Sequence, residues 1–340
     1  MKNNKAIICC IFIIVLLLVV NGGRQIVEGL DFNGHKMREA YSRNSIKINP
    51  NLKYIEKCNG NDCMKKYYYH SGNDTIPTYL SDNKCITNHI LKKNGLPVPN
   101  FICIRLSTKF INDYENMIRY KLQENKLKYP LVMKLSNGSY GMNIIVNIKS
   151  LPELLHEFKR LVNDAKTIGF HSKHIIIEEM VKGYRDYRIL ISNDHIIKIT
   201  EKTEVFVIGD GISTVDKLAK LKGIHTINRE LNSVKNIVLK KGEKMILSDI
   251  KNGKNGSAIV GIPVSSIHPD NVKLMRDAMK TIGLTVSGID FLTPDITKSW
   301  RQVGGIILEM NSNPANVERN VYDKQTYDNS MDLLVNSMFV

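Results

Sequence analysis

Cysteine is scarce and confined to the first third of the chain: six occur, the last at position 103, and none follows in 340 residues. Cys58 and Cys63 are a C-x4-C pair without a second His/Cys pair, so a structural zinc module is not indicated. The two flank Asn-Gly-Asn-Asp, which permits a small disulfide loop in an oxidising compartment; free thiols are expected in a reducing one. Tryptophan occurs once, as Trp300. Internal repeats are absent, which excludes a repeat array. Acidic residues are in deficit, 33 against 48 Lys and Arg, giving a formal net charge of +15. The lysines are scattered, so the excess reads as solvated surface first and as a grip on an anionic small molecule second. Nucleic acid is not an expected partner.

Long apolar runs are also missing, with one exception. Ala6–Val20 is uninterrupted and follows Lys2 and Lys5. It reads as a single-pass N-terminal membrane anchor, with a cleaved signal and a secreted product as the alternative. The chain therefore divides into an apolar segment over 1–22, a polar linker over 23–52, an N-terminal α/β segment over 53–104, a core over 105–322 and a C-terminal helix over 323–340. Strand-like runs such as Tyr129–Leu135, His174–Glu179, Tyr187–Ile191 and Ile196–Thr200 are interspersed with helical periodicities. Ser81 or Asp82 is expected to cap a helix that stops at Gly95, and Ser213 a helix ending near Leu221. Residues 226–257 read as irregular. Several strands pair as hairpins, so the class is α+β.

The most informative stretch is Gly288–Pro314. Two short apolar runs, Ser287–Leu292 and Val303–Met310, read as neighbouring buried strands. Each contains a carboxylate, Asp290 and Glu309, and Asn311 lies two residues beyond the second. A buried carboxylate is costly unless a positive charge adjoins it. Residues two apart in a strand face the same way, so Glu309 and Asn311 can reach one ion. An all-oxygen set of this kind suits Mg²⁺, or Mn²⁺, against substrate phosphates. Strand-end acids pointing to solvent would explain the same residues without an ion.

Other polar residues gather at strand ends and turns. Lys134 ends a strand and precedes the loop Ser136, Gly138, Ser139, Gly141, whose backbone N–H groups suit phosphates. Lys84 stands at a helix start, and Glu178 and Glu179 end a strand. Asp186 follows Gly183 closely.

With these residues in place, the stretch from Ser81 to about Arg319 resembles an ATP-grasp domain. Within that superfamily it is most similar to cyanophycin synthetase and glutathione-synthetase-like proteins. The carrying motifs are SDNKCITNHILKKNGLPVP, YPLVMKLSNGSYG, EEMVKGYRDYRIL, VIGDGISTVDKL, IHPDNVKLMRDAMKTIGLTVSGIDFLTPDI and VGGIILEMNSNP, in that order. The resemblance implies two α+β lobes gripping ATP between them. It also implies ligation of a small-molecule carboxylate to an amine through an acyl-phosphate, with an amino acid or peptide as one substrate. Lys84 and Lys134 would then neutralise phosphates under the 136–141 loop. Glu178 or Glu179, Met180 and Val181 would line the adenine, Asp186 would hold the ribose, and Asp290, Glu309 and Asn311 would bind Mg²⁺. Arg188 and Lys202 would be catalytic. Three positions depart from the pattern: Asn88 replaces a second lysine, Lys202 an arginine, which removes a bidentate fork, and Ala315 a glycine. The resemblance lacks the flanking parts of cyanophycin synthetase, so synthesis of its polymer is not expected. A nucleotide-binding protein without turnover is the alternative.

Overall fold

The computed structural model describes residues 35–49, 54–67, 73–106, 114–138, 143–167, 174–224, 233–248, 257–314 and 322–339. The apolar run Ala6–Val20 lies outside them. Among the described residues no helix is long and apolar enough to cross a membrane. Part of the stretch read as linker is ordered. Helix α1 (His35–Arg43) and strand β1 (Ile46–Asn49) lead into a hairpin of β2 (Tyr54–Asn59) and β3 (Asp62–Tyr67). The short length of α1 and β1 and their near-absence of a readable period hid them from the sequence, whereas the hairpin falls in the aromatic-rich stretch from Lys53 to Leu80, whose Asn-Gly turn points to short strands or a hairpin. The hairpin is closed by a Cys58–Cys63 disulfide.

Two helices follow, α2 (Thr75–Ser81) and α3 (Lys84–Lys93). The cap of α3 is Asn83, whose side chain accepts from Ile86 N at 3.2 Å, and not Ser81 or Asp82. Gly95 ends the turn with φ 74°, a value that favours glycine. The smaller lobe comprises β4 (Phe101–Arg105), α4 (Tyr114–Glu124), β5 (Leu131–Leu135), β6 (Ile145–Ile148), α5 (Leu151–Thr167) and β7 (His174–Glu179). Its antiparallel sheet has the order β4-β7-β5-β6. Alternation sorts the two faces. Ile102, Ile104, Met133, Leu135, Ile175 and Ile177 pack on α4 and α5. Cys103, Ile176 and Lys134 stand in register on the other face, as do Phe101, Glu178 and Val132.

The larger lobe starts with the hairpin β8 (Arg185–Ser192) and β9 (His195–Lys202), turning at Asn193-Asp194. An excursion, β10 (Val205–Ile208), α6 (Val215–Leu221) and β11 (Lys244–Ser248), forms its own small core around Val207, Val215 and Leu247. Strand β11 falls in the stretch expected to be irregular, and α6 is capped by Thr214 where Ser213 was expected. Next come β12 (Ile259–Ile262), α7 (Pro269–Ile282), β13 (Val286–Thr293), the short α8 (Trp300–Val303), β14 (Ile306–Asn311) and α9 (Lys324–Ser337). The second apolar run therefore begins at Ile306, because Val303 closes α8. The large antiparallel sheet has the order β12-β9-β8-β13-β14. Helix α7 presents Leu274, Met275, Ala278, Met279 and Ile282 at helical spacing to Ile189, Ile199, Ile289 and Met310 on one sheet face. Part of the opposite face is covered by α9 and the N-terminal segment, where Tyr41, Ile55, Met331 and Leu334 pack with Leu190 and Val286. The uncovered part of that face carries the charged residues.

Candidate functional site

On β13 the residues alternating with the core positions are Gly288, Asp290 and Leu292. Asp290 is in register with Glu309 on β14 and with Arg188 on β8, which in turn faces Thr200 on β9. Asp186 is in register with Lys202. One face of the sheet thus brings Arg188, Lys202, Asp186, Asp290 and Glu309 together, with Asn311 opposite Gly288. Arg188 Nε and Lys202 Nζ each lie 2.8 Å from Asp290 Oδ1, and Lys202 is 3.3 Å from Asp186 Oδ1. Glycine is required at 288, since a Cβ there would stand 2.8 Å from both Arg188 Nη1 and Pro314 Cβ.

The smaller lobe contributes the remaining charges. Lys134 Nζ is 2.5 Å from Glu178 Oε1, and both side chains are almost wholly buried. Lys84 Nζ is 3.0 Å from Glu309 Oε1 and donates to Gly138 O at 2.6 Å. Its helix is fixed by Ser136 at the end of β5: Ser136 O accepts from Lys84 N at 3.0 Å and Ser136 Oγ from Cys85 N at 3.1 Å.

The electrostatics follow from this mutual compensation. Burial acts to lower the Lys134 pKa, but Glu178, Glu309 and Asp290 outweigh it and hold the ammonium above the ordinary lysine value. Lys202 is raised for the same reason, burial being overcome by Asp290 and Asp186. For Asp290 burial pushes upward, yet Arg188 and Lys202 prevail and lower it. Asp186 goes the other way: burial wins over Lys202, and neighbouring Asp290 adds to the rise.

Alternation along β7 separates the two members of the Glu178/Glu179 pair. Glu179 faces away from the cleft, accepting from Lys128 N at 2.8 Å and Asn100 Nδ2 at 3.3 Å, so Glu178 is the inward member of the pair. The Met180 amide is bonded to Pro130 O at 2.9 Å. Asp186, near the start of β8, pairs with Lys202, which also reaches Asp290. Ser136 and Gly138 line the approach to Lys84, whereas Ser139, Gly141 and Ala315 lie outside the described residues. Sequence reasoning did not find the Cys85–Cys103 disulfide beside Lys84, because no spacing rule links a helix start to a strand middle.

The set fits a nucleotide–metal site on its own chemistry. Asp290, Glu309 and Asn311 offer only oxygen donors suited to a hard cation, Asn311 keeping its amide oxygen because its Nδ2 donates to Gly288 O. Two buried polar atoms, Glu178 Oε2 and Asn88 Nδ2, have no hydrogen-bond partner among the described residues. A polar ligand would satisfy such atoms.

Among solved structures, a bifunctional glutathione synthetase from Pasteurella multocida superposes with a TM-score of 0.52 at 15% identity, covering 88% of this chain and 44% of that one. The chain has the ATP-grasp fold. Family models give no match. By sequence this ATP-grasp chain is similar to cyanophycin synthetase of Crocosphaera subtropica, 28% identical over 256 residues, which cover 69% of this chain and 28% of the relative. It is also similar to the glutathione biosynthesis bifunctional protein of Clostridium perfringens, 24% identical over 264 residues, covering 71% and 32% respectively. The chain thus spans about a third or less of the length of the curated relatives it matches.

Proposed function

We propose that this chain is an ATP-dependent carboxylate–amine ligase working through an acyl-phosphate, with an amino acid or peptide among its substrates. The observation that carries the reading is the meeting of four cations, Lys84 from the start of α3 and Lys134, Arg188 and Lys202 from the two sheets, with four acids, Glu178, Asp186, Asp290 and Glu309. A triphosphate entering this cluster would take the lysines from their carboxylate partners. The freed Asp290 and Glu309, with Asn311, would hold Mg²⁺, which when bound supplies further neutralisation of phosphate charge. Lys84 and Lys134 grip the phosphates from the smaller lobe. Arg188 and Lys202 stabilise charge on the acceptor side, where the substrate carboxylate attacks the γ-phosphoryl group. Such a transfer asks for alignment and charge stabilisation more than covalent help. Similarity to enzymes named for peptide-like products supports the amide-forming class.

The test is amino-acid-dependent release of ADP and phosphate by the purified protein. Release of AMP and pyrophosphate would overturn the acyl-phosphate route. Glu309→Gln is expected to abolish turnover while metal-free nucleotide binding largely survives; full activity in that variant would remove Glu309 from the site. A wild-type chain that binds Mg-ATP yet releases nothing with any carboxylate and amine pair would be a nucleotide binder only. We also propose that Ala6–Val20 anchors the protein in a membrane, so that it resists carbonate extraction; recovery of the intact chain in the soluble fraction would refute this.

A further inference from the structure

Helix α3 belongs to both lobes. Its Leu91 is buried in the cluster that α7 forms on the large sheet. Its Cys85 packs with Phe101 and Ile176 of the small sheet. The two attachments are of different kinds. The first is ordinary apolar packing, whereas the second includes a covalent bond, the Cys85–Cys103 disulfide, which joins the first turn of α3 to the middle of β4 across 18 residues of sequence. Cys103 is in register with Ile176, and Ile176 with Lys134, so the disulfide and Lys134 lie in one row on the site-facing side. Lys84 is the residue next to Cys85, and its ammonium spans from Gly138 O to Glu309. One turn along, His89 meets the Phe101 ring edge-on at 4.8 Å and extends the same contact. All four cysteines among the described residues are paired, which suits an oxidising compartment.

We propose that the Cys85–Cys103 disulfide positions Lys84 for the nucleotide phosphates, so that its reduction weakens nucleotide binding while leaving the transfer chemistry in place. The inference rests on the nucleotide-site reading above. A lysine grips a phosphate well only if its helix start does not move relative to the strand bearing the partner lysine. The disulfide fixes that separation, because Lys84 is adjacent to one sulfur-bearing residue and Lys134 is in the same row as the other. Without it, the start of α3 is held to the small lobe by the Ser136 contacts and by apolar packing, both of which yield more readily than a covalent bond. Arg188, Lys202 and Asp290 are held by the large sheet and are untouched. Opening the bond consumes two electrons and two protons. A small dithiol supplies them, becoming a cyclic disulfide as the S–S bond breaks and the Cys85 and Cys103 thiols form. The reverse step needs a disulfide oxidant that takes the same two electrons by thiol–disulfide exchange.

The experiment measures Mg-ATP affinity and steady-state kinetics of the full chain, before and after dithiol treatment, in a Cys58→Ser/Cys63→Ser background that removes the other disulfide. Reduction is expected to raise Kd and KM for ATP roughly tenfold, the lower end of losing a charge-assisted contact, with kcat nearly unchanged. In a Lys84→Met variant the same treatment should have little further effect. Should Cys103→Ser fold poorly, Cys85→Ala/Cys103→Val refills the apolar contact and should reproduce the reduced phenotype. Equal affinity in the oxidised and reduced forms would overturn the proposal while leaving the nucleotide site standing. A reduction effect of the same size with Lys84→Met would also overturn it, since the disulfide would then act on general stability. Absence of nucleotide binding in both forms would remove the underlying reading as well.

Discussion

Lys134 and Glu178 show how strongly the site depends on paired charges. Neither side chain meets appreciable solvent, so removing one leaves the other buried and uncompensated. Lys134→Met should destabilise the fold by about 3–5 kcal/mol, and adding Glu178→Gln should restore most of the loss in denaturant unfolding. An additive double variant would show that the two do not interact. The raised Lys134 pKa means its contribution is complete below the unfolded lysine value and disappears only as pH rises through the higher folded one. Asp290, being lowered, contributes above the unfolded aspartate value, and that stability is lost as pH falls through its folded value. Asp186 is raised, so its ionised form disfavours the fold at neutral pH and acidification relieves the cost. Carboxyl-labelled aspartate NMR should accordingly show Asp186 taking up a proton before Asp290 as pH falls. The reverse order would contradict the assignment of burial as the winning cause at Asp186.

Among the elements, those with strong periods were legible and those with weak ones were not. His174–Glu179 is a strand with the bounds read from sequence, and the β8–β9 turn lies at Asn193-Asp194 as expected. Helix α7 could be read because its apolar residues recur at helical spacing between Pro269 and Gly283. By contrast, α1, β1 and β11 are short and bury residues supplied by distant parts of the chain, and that information is not local. At the site, Asp290 and Glu309 stood out as carboxylates inside short apolar runs, and alternation put Asn311 on the same side as Glu309. Which of Glu178 and Glu179 faces Lys134 was not, because it depends on the register of β7 against β5. Helix α9 allows a direct comparison of packing with surface pairing. Leu334 is fully buried between α9 and the sheet, so Leu334→Ala should cost about 2–5 kcal/mol. The Arg43–Asp332 pair, which ties the end of α1 to α9, is about a third exposed, and Arg43→Ala should cost less than about 1 kcal/mol. Thermal or denaturant unfolding of both variants checks this; equal losses would mean α9 is held by its polar rim.

At the scale of the whole molecule, the charge of +15 and the proposed site are separate matters. The four acids and four cations of the site cancel, so the excess lies elsewhere on the protein. Mg-ATP affinity should therefore change by no more than about threefold between 0.05 and 0.3 M salt, because buried pairs are weakly screened. Any nucleic acid retained by the lysine-rich surface should be released over the same range. A steep salt dependence of ATP binding would place the nucleotide on that surface instead. The contact of α1 with α9 has a further consequence. Arg43 and Asn44 touch Asp332 and Asn336, so the first and last described helices lie side by side, on a part of the large sheet apart from the cleft. Glu39 acts on Lys324 near the start of α9 while Arg43 and Asn44 reach Asp332 and Asn336 further along it, so the two helices run parallel and brace the sheet as one layer built from segments nearly three hundred residues apart.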